Sequence, residues 1–167
     1  MREIVIESKK YGRHVALVDD EDFERVSVFK WHVAWNGITF YASHYFPNRG
    51  HIFLHRYILN VADPKIFVDH KNHIGLDCQR GNMRTCTNAQ NQMNKLCRRD
   101  TVTGFKGVHF QIMRNKNKTY FYYVARIMVD GKNIHLGKFT TPEPAARAYD
   151  AAAARIYGEF ALPNFPQ

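Results

Sequence analysis

No run of apolar residues approaches the roughly 18 that a membrane-spanning helix needs. The opening "MREIVIESKKYGRH" has no apolar core of the kind that marks a secretory leader. No membrane partner is therefore expected, and the chain is expected to stay in the cytoplasm where it is made. Cysteine is scarce: Cys78, Cys86 and Cys97 are an odd number without a C-x-x-C pair, which points away from a disulfide framework and from a zinc knuckle. They read as small buried or partly buried thiols in a reducing compartment. Internal repeats and low-complexity tracts are missing too, and acidic residues are outnumbered.

What is present is a chain of 167 residues with 45% hydrophobic and 14% aromatic content, well outside the composition of disordered proteins. It is long enough for one compact domain or two small ones. Lys and Arg number 24 against 15 Asp and Glu, a net charge of +9. The excess is uneven. Residues 1–67 carry 9 basic and 8 acidic groups, 68–103 carry 6 and 3, and 104–167 carry 9 and 4, so the positive charge lies in the last three-fifths and favours polyanionic partners.

The pattern of residues predicts an opening β-hairpin, "EIVIES" and "RHVALVD" around Gly12. A helix follows in "DDEDFERVSVFKWHV", with acids in its first turn and Phe23, Val26 and Lys30 or Trp31 on one face. More strand is expected around the Asn36-Gly37 turn and in "RGHIFLH", then a helix in "IFLHRYILN" that Asp63-Pro64 ends. Residues 1–60 thus form a β-rich support, residues 61–96 a central module and residues 97–103, within "NKLCRRDTVTG", a linker. Three strands with a hairpin turn at Asp130-Gly131 come next, and then a helix capped by Thr141, with Pro142 and Glu143 in its first turn and Gly158 as its stop. Residues 104–167 form this last unit.

The segment from Phe67 to Lys95 carries the chemistry. It parses as strand, long loop, strand and helix, the helix start being set by the capping-box pattern Thr87-x-x-Gln90. Asp69 and His70 end the first strand, their side chains on opposite faces. Asn91 lies in the first turns of the helix. A carboxylate and an amide oxygen make a hard, incomplete cage suited to Mg²⁺ or Mn²⁺, and a neutral histidine beside it can deprotonate a water. A turn with a satisfied histidine is the plainer reading of an isolated Asp-His pair.

The spacing of Asp69-His70, Asn82 and Asn91 resembles the HNH (ββα-metal) endonucleases, particularly the phage and intron-associated homing branch in which Asn replaces the last His. "LHR" (Leu54, His55, Arg56), "LD-x-x-R" (Leu76, Asp77, Arg80), "N-x-R-x-x-T" (Asn82, Arg84, Thr87) and "QN" (Gln90, Asn91) match that branch as well. The resemblance implies that His70 is the general base and that Asn82 holds the loop. It also implies that Asp69 and Asn91 ligate one Mg²⁺ or Mn²⁺ ion per active site. Cys78 departs from the family's usual Asn, and Asn91 leaves a single acidic ligand, so metal binding is expected to be weak without DNA. Arg56 and Arg84 are read equally as phosphate contacts or as loop-pinning ion pairs. His55 and His73 are read as structural, and Gln92 and Asn94 as solvated helix positions.

"FKGVHF", "YVARI", "IHLGKFTTPEPAARAYDAAAARIYG" and "ALPNFP" resemble the AP2/ERF DNA-binding domain, in which a three-stranded sheet lies in the major groove. Val108, Phe110, Phe121, Tyr123, Ala125 and Ile127 are then expected toward the helix, and His109, Gln111, Tyr120, Tyr122, Val124 and Arg126 outward. His109, Gln111, Tyr122, Arg126 and His135, with Arg114 and Lys116 of "MRNKNK", are the expected DNA contacts. His135 stands where plant members usually have Trp and His109 where they have Arg, so their target sequence does not transfer.

The expectation is thus an α+β chain: a β-rich N-terminal segment, a central ββα-metal nuclease module, and a C-terminal sheet with one helix. Its partner would be double-stranded DNA, with no small-molecule substrate. It would act as a monomer, or alternatively a dimer, in a bacterial or phage-infected cell. A non-catalytic DNA-binding regulator is the alternative, and a non-specific nuclease toxin a third reading.

Overall fold

The computed structural model describes residues 1–97 and 101–165; Arg98, Arg99 and Asp100 of the expected linker, and Pro166 of the "ALPNFP" match, lie outside the described residues. The architecture is mixed α and β, with small antiparallel sheets and few helices. The chain divides into two compact units, Met1–Asn91 and Gln92–Gln167.

In the first unit, β1 (Arg2–Ser8) and β2 (Gly12–Val18) form a hairpin whose inward residues Ile4, Ile6, Ala16 and Val18 enter the core. Gly12 supplies the positive φ of +78° that the turn needs. Helix α1 (Asp20–Ser27) follows, with three acids in its first turn as its dipole favours. The expected continuation to Trp31 does not occur. The Trp31 indole instead turns back and donates to the Val26 carbonyl at 2.9 Å, satisfying one of the acceptors that a helix end leaves open.

Strands β3 (His32–Trp35), β4 (Phe40–Phe46) and β5 (Gly50–Phe53) make a three-stranded sheet. Helix α2 (Leu54–Ile58) is shorter than the pattern "IFLHRYILN" predicts. Its end lies at Asn60, not at Asp63-Pro64. Asn60 takes a left-handed φ of +54°, while Val61 N–H donates to Arg56 O and Asn60 N–H to Tyr57 O, the paired bonds of a Schellman stop. Strands β6 (Phe67–His70) and β7 (Met83–Cys86) then pair, and α3 (Asn88–Met93) closes the segment.

The separation expected after residue 60 runs through this compact unit. The β6–β7 loop lies against β2: Leu17 N–H donates to Leu76 O and Cys78 N–H to Leu17 O, both at 2.9 Å. Asp22, 2% exposed, receives Arg80 Nε and Nη2 at 2.7 and 2.9 Å and Arg25 Nη2 at 2.6 Å. Arg80 also gives its backbone N–H to Asp19. Gly75 lies so close to β4 that a Cβ there would sit 2.6 Å from the Phe40 carbonyl and 2.7 Å from the Tyr41 ring.

The second unit is a sheet of β8 (Val108–Asn115), β9 (Lys118–Val129) and β10 (Lys132–Phe139) in the order β10-β9-β8, with α4 (Pro142–Tyr157) against one face. Asp130 and Gly131 both take positive φ, as the Asp-Gly turn predicts. Thr141 has the extended backbone of an N-cap, although its side chain makes no capping bond. Val108, Ala125 and Ile127 pack on Ala145, Ala146, Tyr149, Ala152 and Ala153, and at Gly107 a Cβ would lie 2.0 Å from the Tyr149 ring. Phe110 and Phe121, expected under the helix, are 38% and 57% exposed, because the β8–β9 hairpin runs on beyond the part of the sheet that these alanines cover. Val124, expected outward, is fully buried.

Breaking the Asp22–Arg80 pair in Asp22→Asn should cost about 3 kcal/mol, the low end for buried pairs because Arg80 stays 43% exposed. Urea unfolding followed by tryptophan fluorescence checks this in the first unit alone, since both Trp31 and Trp35 lie there.

Candidate active site

Pairing of β6 with β7 sets the site's register: Asp69 faces Arg84 and His70 faces Met83. Directly opposed residues share a face, and Arg84 accordingly donates Nε and Nη2 to Asp69 Oδ2 at 2.9 and 2.8 Å. Both side chains are nearly buried, at 11% and 7% exposed. The guanidinium gives the nearly buried carboxylate a hydrogen-bonded counter-charge, the condition on which such a group is tolerated away from water. Of the two readings of Arg84, this geometry is that of the pinning ion pair.

His70 lies on the other face, 5% exposed. Burial pulls its imidazolium down to about 4, against the opposing pull of Asp69 and Asp77. The ring is therefore neutral at pH 7. Its neighbours come from β4 and α2: His55 meets it edge to face at 5.1 Å, and Tyr41 approaches at 5.8 Å. Phe53 stacks on the far side of His55 at 5.4 Å. The His55 Nδ1 atom is buried without a hydrogen-bond partner, and burial brings that ring down to about 3. His55 is thus part of the wall that holds the proposed base, and Tyr41 is a member that the sequence reading missed. The alternation of β4 puts Tyr41 on the face shared with Ser43, but nothing local names the histidine it will touch.

Asn82 is placed as a clamp. Its Nδ2 donates to Asp77 O at 2.8 Å and to Asn72 Oδ1 at 3.0 Å, and its Oδ1 accepts Asn72 N–H at 3.1 Å. Asp77 in turn accepts from Asn72 Nδ2 and Gln79 Nε2. These bonds close the loop immediately after His70, whose carbonyl accepts His73 N–H. The capping box forms in both directions, Thr87 N–H to Gln90 Oε1 at 2.9 Å and Gln90 N–H to Thr87 Oγ1 at 3.2 Å. It fixes the start of α3 and with it Asn91, whose N–H donates to Thr87 O. Asn94, expected in solvent, is instead 4% exposed.

The donor chemistry fits a hard divalent ion only as a partial site. Of the two residues expected to ligate it, Asp69 offers one carboxylate and Asn91 one amide oxygen, and among the described residues no group of three His, Cys, Asp or Glu comes together as a ligand cluster. Cys78 is not a donor: it is buried in the core and burial pushes its thiol up. Cys86 is buried and Cys97 half-buried, both as free thiols.

Arg56 donates to the carbonyls of Ile66 and Asp63, each at 2.7 Å. In the second unit, Gln111 pairs across to Tyr122, His109 to Val124, and Arg126 to His135, so these residues share one face with Tyr120. Tyr120 and Tyr122 stack at 6.2 Å, and Lys138 lies 5.7 Å over the Tyr122 ring. Arg114 pairs with Thr119, and strand alternation puts it on the opposite face, with Phe110 and Ile112. Lys116 occupies the two-residue turn between β8 and β9, a shorter connection than "MRNKNK" predicts.

The chain is 31% identical over 154 residues to an uncharacterized HNH endonuclease of Acanthamoeba polyphaga mimivirus, a match covering 89% of this chain and 74% of the viral protein. It belongs to the HNH endonuclease family. This HNH protein is also 39% identical over 71 residues to an ethylene-responsive transcription factor of Arabidopsis thaliana, across 38% of each chain. No family model matches it, and no solved structure does. Membership supports a nuclease function with DNA as its partner.

Both buried histidines must stay neutral in the folded state but gain protons near 6.5 when exposed. Below that pH the unfolded chain binds protons that the folded chain does not, so stability is full above 6.5 and falls on acidification toward 4. The expected slope is about 1.4 kcal/mol per pH unit for each histidine. Urea midpoints at pH 7 and 5 test it; His55→Phe should flatten the dependence, and equal wild-type midpoints would contradict the buried, neutral assignment.

Proposed function

We propose that this HNH protein is a metal-dependent DNA endonuclease of the homing type, which hydrolyses phosphodiester bonds at a site recognised by its C-terminal unit. The observation that carries the reading is the adjacency, at the end of β6, of a buried neutral histidine on one face and an arginine-held carboxylate on the other, in a chain of this family. His70 accepts the proton of the attacking water, and its low basicity leaves it ready at neutral pH. Its wall of His55 and Tyr41 fixes the ring, and Asn82 fixes the loop behind it. Asp69 and Asn91 would hold one Mg²⁺ or Mn²⁺ ion, an oxygen-poor set that leaves room for waters and a phosphate oxygen. Such an ion supplies charge stabilisation at the scissile phosphate and the departing 3′ oxygen.

The second unit serves as an AP2/ERF-like reader. His109, Gln111, Tyr122, Arg126 and His135 form the face toward the bases, and Lys116 reaches a phosphate from the turn. Arg114, on the other face, has no part in base reading. With one active site per chain, a monomer nicks a single strand. The likeness to a transcription factor favours one competing reading, a DNA-binding regulator without catalysis.

Supercoiled plasmid bearing the native locus separates the two. The wild type should relax it with Mg²⁺ but not with EDTA, and His70→Ala should slow cutting by about 10²–10⁴ while duplex binding persists. Intact plasmid together with wild-type DNA binding would establish the regulator; cutting of any plasmid would establish a non-specific nuclease. Binding itself should weaken with salt at a slope of roughly −5 for six phosphates.

A further inference from the structure

The first unit contains a groove of about 990 Å³ between β5, α2 and the segment after Asn60. Phe53, Tyr57 and Val61 line it, and Arg25, Arg49, His51 and Arg56 add polar groups, with no Asp or Glu among the lining residues. Three guanidiniums without an acid in the lining give the groove a positive potential that attracts an anion. Their commitments differ. Arg25 is neutralised by Asp22. Arg56 spends its fork on two carbonyls, which fix the guanidinium but leave its charge uncompensated. Arg49, exposed in the β4–β5 turn, has no ion pair among the described residues.

One wall of the groove also backs onto the site. Phe53 lines the groove and stacks on His55, and the His55 ring abuts His70. We infer that this groove takes backbone phosphates of double-stranded DNA beside the scissile bond, Arg49 and Arg56 supplying the positive charge. The inference rests on the endonuclease reading for its geometry. Backbone contact positions a duplex without reading it, so this surface contributes affinity rather than sequence preference. Sequence charge alone hides it, because residues 1–67 are almost neutral. Their acids gather at Asp19–Glu24, where Asp19, Glu21 and Asp22 engage Arg80 and Asp22 also engages Arg25.

The test is fluorescence anisotropy of the full chain on a labelled 30-base-pair duplex in EDTA, across a salt series. Arg49 is exposed, so its removal leaves the core intact. Arg49→Ala should lower the salt slope by about 1 and weaken duplexes of different sequence equally, Arg49→Lys should restore the slope, and Lys9→Ala, on the β1–β2 turn, should leave it unchanged. A wild-type slope in Arg49→Ala, or an equal loss in Lys9→Ala, overturns the inference. Because EDTA removes cleavage from the measurement, a lost unit of slope beside an uncut plasmid upholds the groove and sinks only the endonuclease reading.

Discussion

The carboxylate of Asp22 is the point on which the geometry of the site turns. A buried charge is tolerated only when it is paired and hydrogen-bonded, and Asp22 meets that condition by drawing in Arg25 from its own helix and Arg80 from a loop 58 residues away. Arg80 cannot satisfy Asp22 unless the β6–β7 loop lies against β2, and that placement is what the Leu17–Leu76 and Leu17–Cys78 backbone bonds record. The loop leaves β6 directly after His70. A device that reads as remote structural chemistry in α1 therefore holds the loop that follows His70. The N-terminal 60 residues thus share one compact unit with the β6–β7 loop and hold it through these bonds.

Two arginines near the site do opposite work with the same group. Arg84 donates Nε and Nη2 to one oxygen of Asp69 and so sets a counter-charge against it in a nearly dry place. Arg56 gives its contacts to neutral carbonyls, which orient it and leave its charge outstanding. The first pins a carboxylate; the second is itself pinned with its charge outstanding. Register explains the difference, since Arg84 stands directly across the ladder from Asp69, whereas Arg56 sits on a short helix from which its fork reaches the Asp63 and Ile66 carbonyls of the segment that follows.

Features that depend on neighbours in sequence were legible before the structure. The capping box at Thr87 and Gln90, the Asp130-Gly131 turn and the Gly12 hairpin are local statements, made by residues within four positions of one another. Helix ends were less so. Trp31 continues the helical pattern, yet its indole is better used on the Val26 carbonyl, and Asn60 stops α2 earlier than the proline does. Side-chain contacts across long loops were not legible at all: Tyr41 and His55 against His70, or Arg80 against Asp22, depend on which strands the core brings together. The periodicity that put Phe110 and Phe121 on the helix face was sound. It carries no information on how far along the sheet the helix extends, and that length is what leaves both rings exposed.

In the proposed function, recognition and cutting make different demands on a surface, and the two units would divide them. Around His70 the available groups are guanidiniums, aromatic walls and backbone carbonyls, which grip a phosphate chain and say nothing of its bases. The amide, imidazole and phenol groups suited to base edges, Gln111, His109, His135 and Tyr122, share one sheet face in the other unit. On that face Lys138 over Tyr122 and the stacked Tyr120–Tyr122 pair restrict the rings to defined positions, lowering the entropy lost when a duplex settles on them. Under that proposal, a nuclease unit with a strong sequence preference of its own would restrict which phosphate could be cut, whereas one that holds only the backbone would accept any phosphate. Specificity can then change on the sheet face without disturbing Asp69, His70 or the loop that aims them.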